Sequence, residues 1–461
     1  MPDQIERALG RFARQLPGRV SLPGGDGYDA AIAIWAKPVG TMPRAVVHCR
    51  TTEDVQLSIA IARDCGLPLS VRGGGHHWAG RALCAGIVID LSGMNGVSVV
   101  AADHGSAILS GGVRAADLAA VMDPLHVAAV TGTCSAVGMV GLTLGGGYGP
   151  LIGRFGLALD NLLAAQVVLA DGRVVVADES NEQELFWALR GGGGNFGVVT
   201  AMRCRLHRLP SVQTGLLVYP FLEAEAVLER CAEIATSSPE ELTVEFACVG
   251  GPDGKPAVMV HPTWCGLPAD GEARVTPFLK LGTLLAGNLE AMSYGTSLTL
   301  HDPYIVNGQR VFMETCWLPA LDSAGITAFI EAMAATVSPG CALFTHEFKG
   351  AASRVQAQAT AFGLRRDHVL VEILAAFVDP SNEEEEQRHR QWARTTRQAF
   401  APMSLPGGYP NFLAGDDPDR VARSYGPNAD RLVKAKRQYD PDNVFCTAIP
   451  LPTAGAMGDV H

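Results

Sequence analysis

A chain of 461 residues exceeds a single module; at about 100–200 residues per domain it predicts two or three. It is 48% hydrophobic and 18% charged, a balance that excludes a mainly disordered or coiled-coil chain. Its 36 basic and 47 acidic side chains leave a net charge of −11, so no overall basic field exists to hold nucleic acid or an anionic membrane surface.

Residues 1–18 mix charges and hold no apolar run longer than two, unlike a secretory or transit leader. No stretch nears the roughly 18 apolar residues of a membrane span, and a cytoplasmic protein is expected. Eleven cysteines, an odd number without C-x-x-C pairs, argue against a disulfide framework and a zinc site, so no metal site is predicted. The unusual residue is glycine. Of 52 in the chain, 26 lie between Gly66 and Gly197, a stretch that must need bare backbone.

From Thr51/Thr52 the pattern predicts a helix ended by Gly66. A strand over Leu67–Val71 then runs into Arg72-Gly73-Gly74-Gly75-His76-His77-Trp78, and Ile87–Leu91 reads as a second short buried strand. Ala115–Met122 reads as helix, followed by a second glycine region over Thr131–Gly156. Residues Gln166–Ala177 form a hairpin around Asp171-Gly172. A capping box from Ser180 to Gln183 opens a helix through Arg190, and Gly191–Gly194 ends it before a strand over Val198–Leu206.

Beyond Pro210 longer strands (Gly215–Phe221, Leu242–Val249, Ala257–Thr263, His368–Phe377) alternate with helices near 222–236, 323–337 and 381–399, the texture of a separate α+β domain. Glu383–Glu386, just after Ser381, fill a helix's first turn, where the macrodipole favours acid, rather than an acidic binding site.

Glycine runs let backbone amides converge on a phosphate, so three such loops point to a nucleotide or dinucleotide diphosphate. The third contains G-x-G-x-x-G at Gly192, Gly194 and Gly197. It follows a helix and precedes a strand, the reverse of a Rossmann site, and none of the runs ends in the Gly-Lys-Ser/Thr of a Walker loop.

Four motifs carry a closer likeness: Arg72-Gly-Gly-Gly-His76; Thr131-Gly-Thr-Cys134 with Gly145-Gly-Gly-Tyr-Gly149; Leu185-Phe-Trp-Ala-Leu-Arg-Gly-Gly-Gly-Gly-Asn-Phe-Gly197; and Tyr439-Asp-Pro-Asp-Asn443. In order and spacing they resemble the berberine bridge enzyme-like FAD-linked oxidases of the vanillyl-alcohol oxidase and p-cresol methylhydroxylase superfamily. The resemblance implies an α+β fold. A two-part FAD domain would occupy residues 1–206, with its core near 42–206, and 416–461; residues 207–415 would form a substrate domain with an antiparallel sheet backed by helices.

It also implies FAD attached through His76 to the flavin 8α carbon, His77 falling one residue too late. A neutral imidazole is a nucleophile near pH 7. Cys134 stands where part of the family adds a second bond, thiolate to flavin carbon 6, and converging backbone amides are expected to lower its pKa. The chain also resembles the hydroxynicotine oxidase branch around Tyr28–Trp35; that branch is singly linked and lacks the cysteine. Further FAD contacts are expected from Arg72, Gly73, Gly74, Gly75, His77, Thr131, Gly132, Gly138, Gly141, Leu142, Gly145, Tyr148, Gly149, Asp160, Asn161, Asn195, Gly197, Val199 and Asn411.

The implied reaction is hydride transfer to flavin N5, with dioxygen reduced to hydrogen peroxide. Alcohol-oxidising relatives use the last tyrosine of a Tyr-x-Asn-Tyr motif as base; here that position is Phe412, which cannot take a proton. Glu372, on the strand His368–Phe377, is the candidate base, with the phenols of Tyr409 and Tyr148 as further candidates. Trp78 and Phe412 are placed in the substrate pocket. The loss of the tyrosine shifts weight from sugars toward amines or phenolic natural products. A dehydrogenase using another acceptor and a catalytically silent flavin protein are the alternatives; a monomer or homodimer is expected.

Overall fold

The computed structural model describes residues 2–37, 40–100, 105–251, 255–377 and 383–453. Its first sheet runs in the order Val20–Ser21, Ala45–His48, Ile87–Asp90, Leu69–Arg72. The last three strands are parallel, as expected where the helix Thr52–Asp64 carries the chain across the sheet. Thr51 caps that helix in a capping box with Asp54, and Gly66 ends it at φ +60°, a left-handed conformation that favours glycine. The apolar strands pack against helix residues Val55, Ile59 and Ala62.

At the sheet's edge Arg72 stands opposite Asp90 in register and pairs with its carboxylate at 2.6 and 3.0 Å, and His48 reaches the same carboxylate at 2.9 Å. This buried cluster pins the strand end from which the first glycine loop departs. Burial opposes ionisation of Asp90, but His48 and Arg72 outweigh it and hold the carboxyl well below its usual range.

A second, antiparallel sheet runs Val97–Val99, Ser106–Ser110, Val198–Arg205, Leu162–Val168, Val174–Asp178. Its hairpin turns at Gly172 with φ +84°, and its central strand receives the third glycine loop. One expectation changes here. The helix spans Gln183–Leu189 without a side-chain cap, and Glu182 precedes it at φ 45°. The amides of Ser180 and Asn181 instead donate to the Asp178 carboxylate at 2.8 and 2.7 Å, which closes a turn and removes Ser180 as a cap.

Residues 212–377 build an eight-stranded antiparallel sheet ordered Glu290–Met292, Val212–Thr214, Pro256–Trp264, Leu242–Gly250, Cys341–Phe348, His368–Phe377, Arg310–Leu318, with Leu217–Pro220 also paired to Pro256–Trp264. Helices Ala224–Ser237, Ser323–Ala334 and Glu383–Phe400 cover one face through Leu228, Phe329 and Trp392. Glu386, in the first turn of the last helix, also pairs with Arg310 at 2.7 Å, so that turn is tied to the sheet; Ser381 lies outside the described residues. The other face turns toward the glycine loops. Helices Pro418–Tyr425 and Ala429–Tyr439 bring the chain back to those loops, where Lys436 Nζ donates to the carbonyl of Asn195 at 2.8 Å. Among the described residues no helix is long and apolar enough to cross a membrane.

Candidate active site

Between the glycine loops and the open face of the large sheet lies a cavity of about 330 Å3. The first loop contributes Gly73–Trp78. The second contributes Gly132, Cys134, Gly138, Gly141, Leu142 and Tyr148, and the third Gly193, Gly194, Gly197 and Val199. The loops meet with no room for side chains. A Cβ on Gly74 would stand 2.4 Å from the backbone nitrogen of Gly138, and one on Gly145 would stand 2.0 Å from Asn411 Oδ1. At Gly74 the clash is with backbone, so glycine is needed there for the first two loops to approach each other.

His76 opens onto the cavity and stacks on Trp35, centroids 4.4 Å apart and planes 10° apart. Burial lowers its pKa to about 4, so the imidazole is neutral and keeps a lone pair. His77 also faces the cavity; its Nδ1 accepts from the Ala79 amide at 3.1 Å, while Nε2 is buried without a partner. Trp78 Nε1 is a second buried donor without a partner on the same wall. Orphaned polar atoms beside a glycine cradle fit a polar ring system and a diphosphate.

Cys134 lines the cavity as predicted, but its acidity does not follow the prediction. Burial, the largest cause, pushes the thiol up, and Glu372, Glu245 and Asp302 push it further. Ser135 already occupies Asp302, donating to it at 2.8 and 2.7 Å.

Several residues expected to contact FAD are not part of this lining and are engaged with other protein groups. Arg72 is committed to Asp90. Thr131 Oγ1 bonds the Tyr294 hydroxyl at 2.8 Å, and Gly149 packs so closely on Thr131 that a Cβ would stand 2.0 Å from its carbonyl oxygen. Asp160 forms a two-pronged pair with Arg365 at 2.8 Å, and Asn161 donates to the carbonyls of Phe155 and Leu157. Asn195 donates to the carbonyls of Gly192 and Ile449, tying the third loop to the C-terminal segment.

The sheet and the C-terminal segment close the cavity with Met313, His346, Leu370, Glu372, Tyr409, Asn411 and Phe412. Both phenols are engaged. Tyr409 Oη accepts from the Gly147 amide and from Asn411 Nδ2, each at 2.9 Å, and burial raises it to about 12. Tyr148 Oη lies 2.7 Å from His368 Nε2, and burial raises it well above its usual value. Phe412 packs edge-on against Tyr409 with centroids 4.9 Å apart.

Glu372 is not surrounded by apolar neighbours alone. His346 Nε2 lies 3.3 Å from its carboxylate, and His346 Nδ1 lies 2.6 Å from Glu245. Burial opposes a charge on His346, but Glu245 and Glu372 outweigh it and raise the imidazole to about 10. Glu245 is 6% exposed; burial opposes its ionisation, yet His346 and His261 hold it below the usual carboxylate range. The sequence reading did not reach Glu245, His261 or His346. The available signal was an ionisable side chain inside a mainly apolar strand run, Glu245 in Leu242–Val249 and His261 in Ala257–Thr263 above all.

An FAD binding domain model matches residues 43–178, and a model for berberine and berberine-like proteins matches residues 408–452. Over 445 residues the chain is 30% identical to the FAD-linked oxidoreductase YvdP of Bacillus subtilis, covering 94% of this chain and 97% of that one. It is likewise 30% identical to (R)-6-hydroxynicotine oxidase of Paenarthrobacter nicotinovorans, covering 93% and 95%. The crystal structure of 6-hydroxy-D-nicotine oxidase from Arthrobacter nicotinovorans superposes with a TM-score of 0.82 at 29% identity, over 93% of this chain and 96% of that one. A Physcomitrella patens berberine bridge enzyme-like protein gives 0.85 at 24% identity and shares the fold. The fold and these likenesses define an FAD-linked oxidoreductase. The chain belongs to the berberine bridge enzyme-like family of those enzymes.

Proposed function

We propose that this chain is an oxidase that takes a hydride from a carbon of a small or medium-sized organic substrate, an amine, a phenolic natural product or a sugar alcohol group, and passes the electrons to dioxygen to give hydrogen peroxide. The observation that carries this reading is the convergence on one cavity of a glycine cradle, the neutral His76 and a carboxylate, Glu372, at the opposite wall. Bound FAD would supply the hydride acceptor and the reaction with dioxygen. Glu372 takes the substrate proton, and Trp78 and Phe412 pack the substrate. Tyr409 and Tyr148, already hydrogen-bonded and raised in pKa, hold the wall rather than move protons. The 6-hydroxynicotine oxidase likeness and the missing phenol at Phe412 both favour an amine.

His76 and Cys134 face the same cavity and are the proposed double anchor. His76 needs no activation beyond its lone pair. The Cys134 thiol must lose its proton first, and its carboxylate neighbours favour the protonated form while offering acceptors for that proton. The soluble, cytoplasmic monomer or homodimer expected from the sequence completes the proposal.

The test is a peroxide-coupled screen of amines, phenolic alcohols and sugars with oxygen uptake followed in parallel. Substrate-dependent flavin bleaching with oxygen uptake and peroxide release supports an oxidase. Bleaching without oxygen uptake replaces it by a dehydrogenase, and no bleaching by any class removes the catalytic reading.

A further inference from the structure

Hydride transfer and its base leave unexplained the polar row that continues from Glu372 through the sheet. Strands Pro256–Trp264, Leu242–Gly250, Cys341–Phe348 and His368–Phe377 are successive neighbours, and their side chains alternate between faces. Register sets His261 directly opposite Glu245. His261 Nδ1 lies 3.4 Å from Glu245 Oε2 and 3.1 Å from His301 Nε2. Thr133 Oγ1 donates to Glu245 at 3.1 Å. Glu372 and His346 line the cavity, Glu245 and His261 are buried, and His301, in the turn Thr299–Tyr304, is partly exposed.

We propose that Glu372, His346, Glu245, His261 and His301 form a proton path that connects the substrate cavity to the partly exposed His301. The path rests on the oxidase reading, which leaves one proton on Glu372 for each hydride removed. Aligning four titratable groups on a sheet is costly unless each is paired, and apolar residues would pack the same face at less cost. Here no step between groups exceeds 3.4 Å. The Nδ1 proton of the His346 imidazolium moves to Glu245 Oε1; the neutral ring then flips, so that its bare nitrogen faces Glu372 and takes the proton held there, which restores the imidazolium. Rotation of the Glu245 carboxyl group brings the proton to His261 Nδ1, from which it moves to His301 Nε2, and His301 releases its Nδ1 proton to water. Tautomer exchange returns each group to its starting state. One proton leaves the cavity and no electron moves.

Glu245, His261 and His301 also place ligand atoms within 4.8 Å of one another, a spacing a cation could use. The path is favoured because the imidazolium of His346, 2.6 Å from Glu245, already supplies the positive charge there.

Two measurements test the proposal. In 15N-histidine NMR of the holoenzyme, which needs no substrate, His346 should give two far-downfield N–H protons, both lost in Glu245→Gln while His368 and His389 signals persist. Their absence from the wild type overturns the path, as does a stoichiometric metal found in the wild type and lost in Glu245→Gln. In steady-state turnover of the best substrate among benzylamine, 6-hydroxynicotine, vanillyl alcohol and cellobiose, His301→Ala should lower kcat about tenfold with KM unchanged, and added imidazole should restore it. An unchanged kcat, or a loss that imidazole does not restore, overturns the path. Failure of all four to bleach the flavin counts against the oxidase reading alone, and the NMR result then decides the path.

Discussion

The substitution Gly74→Ala tests whether the meeting of the first two glycine loops sets the proposed flavin anchors. The new methyl group would stand 2.4 Å from Gly138 N, 2.7 Å from Gly138 Cα and 3.1 Å from the Ala136 carbonyl oxygen, all backbone atoms that cannot rotate away. Restoring ordinary contact near about 3.5 Å requires the loops to part by about 1 Å. Overpacking of this kind costs about 1–3 kcal/mol, which lowers Tm by about 2–10 °C if a unit of a couple of hundred residues melts together. Function should suffer more than stability. His76 lies two residues after Gly74 and Cys134 four before Gly138, so the same displacement moves the two proposed anchors apart. Flavin fluorescence of the denatured protein on a gel, read against Coomassie stain, should fall severalfold beside the modest fall in Tm. The control is Gly10→Ala, in the helix Pro2–Gln15 with nothing within 4 Å, which should raise stability by about 0.5–1 kcal/mol and leave flavin content unchanged. Full flavin content and an unshifted Tm in Gly74→Ala would refute the reasoning.

Other consequences are more local. Glu372→Gln should slow flavin reduction by substrate about 100-fold or more; an unchanged rate removes Glu372 as the base. Because His346 titrates near 10 in the fold against about 6.5 unfolded, its stabilisation is complete below about 6.5 and is lost as pH rises toward 10. Tm should therefore fall across that window, and less so in His346→Gln; parallel slopes would show that His346 is not held as a cation. Tyr148→Phe leaves His368 Nε2 without its partner and should cost about 1–3 kcal/mol in urea denaturation, with flavin reduction slowed by less than threefold. A large kinetic loss would return Tyr148 to the chemistry.

The sequence located the cradle because its chemistry is backbone chemistry. Close approach of loops demands glycine, glycine is visible, and His76 and Cys134 sit inside the same runs. Asn195 belongs to the third glycine motif, yet its amide donates to the carbonyls of Gly192 and Ile449, since a motif's spacing does not say which way a side chain turns. Short-range competition hid the start of the helix at Gln183, where the Asp178 carboxylate captured the amides of Ser180 and Asn181.

The largest departure is the environment of Cys134. Its sequence neighbours offered only amides and hydroxyls, whereas its acidity is set first by burial in the fold and then by the charges of Glu372, Glu245 and Asp302, more than a hundred residues away. Glu245, His261 and His346 stayed hidden for the same reason. Each lies on a different strand, far apart in sequence, and only sheet register brings them together.

The most direct test of the double anchor is mass spectrometry of a proteolytic digest of the denatured, still yellow holoenzyme. The account predicts one flavin-bearing fraction in which the peptides containing His76 and Cys134 are joined through a single FAD. Flavin recovered free in the acid supernatant, with both peptides at their unmodified masses, would contradict it.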